Sequence, residues 1–180
     1  MSFTDTDLQK DYFRLFDLPP GFALDISRLE QAYRTLQSQV HPDTVAHLSG
    51  VEQRLAMQYS TRVNEAYQTL RNPLRRGRYL LSLRGVDTQE ETNTAMPLDF
   101  LVTQMNWREE IAAARDSAST DALDAIEQRC REETRTLESQ LEIALDESAD
   151  NLLAAGLVRK LRFMEKLLEE IHAAYDAIDI

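Results

Sequence analysis

Seven apolar residues near the C-terminus, Leu157, Leu161, Met164, Leu168, Ile171, Tyr175 and Ile178, recur at alternating spacings of four and three. That rhythm tracks the helical turn, so the segment can bury these side chains only as one stripe of a helix laid against other helices. Leu123, Ile126, Cys130, Leu137, Leu141 and Ala144 repeat the pattern upstream. An antiparallel three-helix bundle uses both stripes, with helices predicted at 98–115, 121–145 and 149–178 and with Ser119 or Thr120 and Ser148 as caps. Only five glycines and five prolines interrupt 180 residues rich in Ala, Leu, Glu, Gln and Arg, so an all-α chain is expected and no strand is evident.

The N-terminal half predicts four shorter helices. One spans 11–18 and is halted by Pro19-Pro20-Gly21. A second, capped by Asp25 or Ser27, runs to Val40 with Leu29, Tyr33, Leu36 and Val40 along one face. A third covers 51–71, turns Leu55, Tyr59, Val63 or Ala66, and Leu70 inward, and ends at Pro73; a fourth covers 74–84. Residues 85–97, GVDTQEETNTAMP, read as a linker between a domain at 1–84 and another at 98–180. Residues 1–84 hold 11 bases and 9 acids, whereas 85–180 hold 9 bases and 22 acids, which implies different partners for the two halves.

Apolar runs of a few residues fall far short of the roughly 20 needed to span a bilayer. The first residues carry acids where a secretory signal carries bases, so a cytoplasmic location is expected. Cys130 is the lone cysteine, which excludes an internal disulfide and any Cys–Cys zinc site; on its apolar stripe it reads as a small buried hydrophobe rather than a ligand. His47 and His172 have no companions at ligand spacing and are expected to face solvent or bond locally. Arg71, Arg75, Arg76 and Arg78 cluster, but nucleic-acid binding needs an extended basic surface, and none is expected in so acidic a chain.

Between the second and third helices stands His41-Pro42-Asp43. Two amphipathic helices joined there can pair as an antiparallel hairpin with the tripeptide at its tip, where a rigid proline holds His41 and Asp43 outward. In isolation such a tripeptide is a stiffened turn with a helix cap. No nucleophile, second carboxylate or ligand cluster lies at useful spacing, so neither an enzyme nor a cofactor site is expected.

DYFRLFDLPP at 11–20, HPD at 41–43 and RVNEAYQTLRNP at 62–73 resemble the J-domain family. The resemblance implies docking on the nucleotide-binding domain of a DnaK-type chaperone and stimulation of its ATPase, with Asp43 as charge partner for an arginine and with His41 and Pro42 shaping the contact. Family members present bases on the preceding helix. Here only Arg28 and Arg34 are basic between Ser27 and Thr44, and Val40 and Thr44 replace a common aromatic and lysine, which favours one dedicated chaperone.

RNPLRRGRYLLSLRG at 71–85, DFLVTQMNWREEI at 99–111 and VRKLRFMEKL at 158–167 are similar to the HscB family of co-chaperones. That resemblance implies a J-domain joined to a bundle that binds an IscU-like iron-sulfur cluster scaffold and delivers it to HscA. Eukaryotic members often add a cysteine-rich segment, absent here, so a bacterial origin is expected. The family's scaffold-binding surface, carried over position by position, falls on Leu101, Val102, Met105, Glu109 and Phe163, with Asn106 and Ala113 where the family has acids.

The residues support such a surface on their own account. At about 100° per residue, Phe100, Trp107, Ile111 and Ala114 form one stripe of the helix from Leu98. Leu98, Leu101 and Met105 form another, continued by Val102, Glu109 and Ala112, and one stripe suffices for the core. Phe163 lies about 120° off the seam of the last helix. Two other readings stay open: a J-domain adapter for a different client, and a structural bundle with an idle hairpin.

Overall fold

The computed structural model describes residues 8–47, 49–88 and 97–178, with the Pro42 side chain left out. The described residues are all-α: α1 Tyr12–Leu15, α2 Ile26–Gln39, α3 Pro42–Val45, α4 Gly50–Arg71, α5 Pro73–Leu83, α6 Leu98–Asp116, α7 Thr120–Glu142, a π-helical turn Ile143–Glu147, and α8 Asn151–Ile178. They form two compact units, Met1–Leu83 and Arg84–Ile180.

In the first unit, α1 is shorter than the predicted 11–18. Asp11 caps it by accepting the Arg14 N–H at 2.9 Å. Its other end closes as a Schellman turn: Leu18 N–H donates to Phe13 O at 2.9 Å, and Asp17 takes φ 53. The helix thus stops before the prolines act. Asp25, not Ser27, caps α2 by accepting the Arg28 N–H. The α2 and α4 helices pair antiparallel, as shown by Tyr33 stacked on Tyr67 at 4.0 Å and by Gln37 Nε2 donating to Asn64 Oδ1 at 2.5 Å. Leu29, Val40, Tyr59, Val63, Ala66 and Leu70 are buried, while Leu36 and Leu55 on the predicted stripes are half-buried.

Asn72 both ends α4 and caps α5, accepting the Arg75 N–H at 2.9 Å, so Pro73 becomes the first residue of the next helix, where its missing N–H costs nothing. The basic cluster is broken up by packing. Arg76 is buried, with Nη1 donating to Leu70 O at 2.5 Å and its guanidinium 4.8 Å from the Phe22 ring centroid.

In the second unit, α6, α7 and α8 form the bundle. Ser119 caps α7 by accepting the Ala122 N–H. All six residues of the predicted α7 stripe are buried. On α8 the buried face is broader than predicted: Leu157, Leu161, Met164 and Ile171 are buried, but so are Ala154, Ala155, Val158, Leu167 and Ala174. Leu168, Tyr175 and Ile178 are only half-buried. The α8 helix packs against both α6 and α7, so it must bury two adjoining strips where a two-helix seam needs one. Tyr175, at the edge of this face, donates its hydroxyl to Asp124 Oδ1; burial and that bond raise its pKa.

The α7 helix ends in the π turn, and Ser148 does not cap α8. Its hydroxyl donates back to Ile143 O at 3.2 Å, while Asp150 accepts the Leu153 N–H at 3.0 Å. Two arginines fasten the segment that precedes the bundle. Arg84 donates to Leu145 O at 2.8 Å and to Asn151 Oδ1 at 3.0 Å, and Arg159 donates to Thr88 O at 3.1 Å. The remainder of the predicted linker, 89–96, lies outside the described residues.

Candidate functional site

Two surfaces carry the residues singled out from the sequence, one on each unit. At the end of α2, His41 has φ −59 and ψ 139, the extended conformation that a following proline imposes. Pro42 then opens a short helix that sequence reading left as loop. His41 caps it: Nδ1 accepts the Asp43 N–H at 3.3 Å, and its carbonyl accepts the Thr44 N–H at 2.8 Å. Thr44 ties the turn to α2 by donating its hydroxyl to Ser38 O at 3.2 Å. With Nδ1 turned to the Asp43 backbone, Nε2 is the ring nitrogen left open to a partner. The Asp43 carboxylate stands 3.6 Å from Nδ1, and its side chain is 92% exposed. The tip therefore offers a positioned imidazole beside a solvated carboxylate.

Arg34 lies two turns before His41 on the same side of α2, with 80% of its side chain exposed and a 3.6 Å contact to Glu30. Arg28 is about 120° around the helix. It lines a shallow groove of about 360 Å³ with Leu15, Leu18, Gln31 and Thr35. The two arginines do not share one face with each other. The Pro42 ring, the remaining predicted contact here, lies outside the described residues. Beside the tip, Val51 and Met57 are exposed on the first turns of α4, which sequence reading passed over because they fall off the inward stripe.

On the second unit, Ile111 and Ala114 are buried and Phe100 and Trp107 half-buried, as the inward stripe of α6 requires. The opposite stripe is open: Leu98 is 76% exposed and Met105 62%, with Leu101, Val102 and Glu109 also exposed. Phe163 is half-buried and has a partner that sequence reading missed, since its ring meets Phe100 edge-on at 5.5 Å and 76°. Arg108 covers Phe163 at 5.2 Å while chelating Glu170 through Nε and Nη2 at 3.0–3.2 Å. Lys160 Nζ lies 5.2 Å from the Phe100 centroid. The i, i+3 spacing of Lys160 and Phe163 sets them on one face of α8, but no spacing in the sequence pairs that face with Phe100 and Arg108 of α6.

Cys130 is fully buried, donates weakly to Met164 O at 3.8 Å, and has its thiol pKa pushed up to about 11 by burial. Among the described residues no three His, Cys, Asp or Glu side chains gather as metal ligands, and no helix is long and apolar enough to cross a membrane. His47 is exposed, and exposed His172 lies 3.7 Å from Glu127.

Residues 96–172 match the family described as the HSCB C-terminal oligomerisation domain. A co-chaperone protein HscB homolog of Chromobacterium violaceum is 54% identical over 172 residues, covering 96% of this chain and 97% of the relative. The structure is similar to that of the chaperone HscB from Vibrio cholerae, with a TM-score of 0.82, 38% identity, and coverage of 94% of this chain and 99% of the other. It is similar also to human co-chaperone protein HscB, with a TM-score of 0.86, 33% identity, and coverage of 92% and 82%.

Proposed function

We propose, from the premise that this chain belongs to the HscB family of co-chaperones, that it is a two-ended adapter for iron-sulfur cluster assembly. One end stimulates the ATPase of an HscA or DnaK-type chaperone; the other holds an IscU-like cluster scaffold and delivers it. The observation that carries the first end is the Asp43 carboxylate, solvated at a tip whose backbone is locked by the His41 cap and the Thr44–Ser38 bond. A carboxylate so presented suits a chaperone arginine, whose planar fork donates two parallel hydrogen bonds to it. His41 and Pro42 shape the approach, while Arg34 adds positive charge on α2 behind the tip and Arg28, further back and on another face, extends it.

The second end is the open stripe of α6, with Leu101, Val102 and Met105 as its apolar centre, Glu109 at its edge and Phe163 on the α8 flank. Covering these partly exposed side chains would gain a fraction, of the order of half, of the roughly 1.5–3 kcal/mol that full burial of such a side chain is worth. The cargo is the scaffold and its cluster, and the cytoplasm of a bacterium is where the adapter works.

The two ends should be separable. Asp43→Ala abolishes ATPase stimulation in a single-turnover assay while leaving scaffold affinity within twofold. Leu101→Ser, Met105→Ser and Phe163→Ala weaken scaffold binding by about tenfold or more, measured by calorimetry with helicity unchanged. Stimulation that survives Asp43→Ala, or affinity that ignores all three replacements, sinks the corresponding end.

A further inference from the structure

Resting on the reading of α6 as the scaffold-docking face, we propose that Lys160 sets the electrostatic specificity of that face by receiving a carboxylate of the docked protein. Two cations flank its aromatic pair, and they differ in one respect. Arg108, over Phe163, is neutralised by the two-pronged bond to Glu170. Lys160, over Phe100, has no carboxylate within ion-pair distance among the described residues, although residues 85–180 hold 22 acids. A charge left unpaired among so many opposite charges is poised for a partner from outside.

Position supports the same conclusion. Phe100 and Arg108, the α6 residues that meet the aromatic and charged row of α8, lie about 80° apart on the helix, and Leu101 follows about 20° further round. Lys160 therefore borders the open stripe at its Leu98–Leu101 end. It is half-buried, with its ammonium held over the ring, so part of its hydration is already lost before anything docks. A carboxylate arriving with an apolar surface would meet a fixed cation in a medium of reduced dielectric, where the attraction exceeds its value in water. Asn106 and Ala113 carry no charge on this side, Glu109 lies some two turns along, and Asp99 stands about 160° round α6 from Leu101, so Lys160 is the charge set closest to this edge of the face.

The test is calorimetry of the full-length chain with the purified cluster scaffold protein, at low salt and at about 0.5 M salt, where exposed charges are screened within a few ångströms. Lys160→Met keeps the stem over Phe100 and removes the charge. It should weaken binding about fivefold at low salt, and the difference should vanish at high salt. Lys160→Glu should weaken it by more than tenfold at low salt. Unchanged affinity for both variants, while Leu101→Ser still weakens binding, overturns the role of Lys160 and leaves the docking face standing. Equal, salt-independent losses for Met and Glu make Lys160 a packing residue and overturn it as well. If Leu101→Ser is also without effect, the docking face and this proposal fall together.

Discussion

Asparagine in place of Asp43 preserves shape and removes one charge, which makes it a cleaner probe of the tip than truncation. Within the chain almost nothing depends on that charge. The side chain is 92% exposed, and the nearest basic side chain among its contacts is the His41 ring, with Nδ1 at 3.6 Å. The cap of α3 uses the backbone N–H of residue 43, which asparagine keeps. What is lost to the fold is the favourable charge in the first turn of a four-residue helix, about 0.3–0.5 kcal/mol, or a fall in melting midpoint of about 1–2 °C. At the chaperone the loss is different in kind. An arginine desolvated against a carboxylate and then left with an amide forfeits about 2–5 kcal/mol, and 3 kcal/mol is about 150-fold in affinity. The assay is single-turnover hydrolysis of ATP preloaded on the chaperone, titrated with the variant. The half-maximal concentration should rise by about 30-fold or more while the melting midpoint stays within about 2 °C. A midpoint of stimulation within threefold of the parent chain, with the same fold, would refute the assignment of Asp43 as the charge partner.

Two further expectations concern the scaffold of the molecule. The Cys130 thiol, raised from the ordinary 9.0 to about 11 by burial, should resist a disulfide reagent at pH 8 and be labelled only on unfolding; because the folded state holds that proton more tightly, the stability it lends is intact below about pH 9 and lost as pH rises towards 11. Rapid labelling of the native chain would contradict the packing of α7. Ala118 ends α6 at φ 49, in a Schellman turn closed by Ser119 N–H to Ala114 O, so Ala118→Gly should stabilise by about 0.5–1 kcal/mol, the left-handed strain relieved less the entropy glycine adds, seen as a higher denaturation midpoint.

Sequence periodicity identified the α7 stripe residue by residue because the large apolar side chains of this helix fall on one line, with polar and charged residues over the rest of its surface. On α8 the same reasoning missed Leu167 and Ala174, since this helix carries further apolar residues, among them Ala154, Ala155 and Val158, on a second buried strip that heptad spacing does not single out. Caps divided in the same way. Asp25 and Ser119 were readable because a short polar side chain stands directly before an apolar-periodic run. The π turn was invisible, because the extra residue that moved the α8 cap from Ser148 to Asp150 leaves no mark on spacing. At the hairpin, the tripeptide announced the turn but not that His41 itself caps a further helix. On α6 the exposed stripe was legible from a helical wheel, whereas the Phe100–Phe163 contact and its two cations depend on which helices become neighbours, a matter of tertiary packing.

The arginine fastenings of residues 84–88 bear on how this chain can be taken apart and joined anew. Arg84 satisfies the carbonyl of Leu145 at the π turn, and Thr88 O is held by Arg159 of α8, so this stretch is inherited with the bundle although it reads as the end of one helix and the start of a linker. A recombination event or an engineered fusion that exchanges the N-terminal module keeps the acceptor whole only if its crossover falls before Arg84. A crossover at Leu98, where the bundle's first helix begins, would strand the Leu145 carbonyl and the Arg159 guanidinium and pass on a module already missing two of its fastenings.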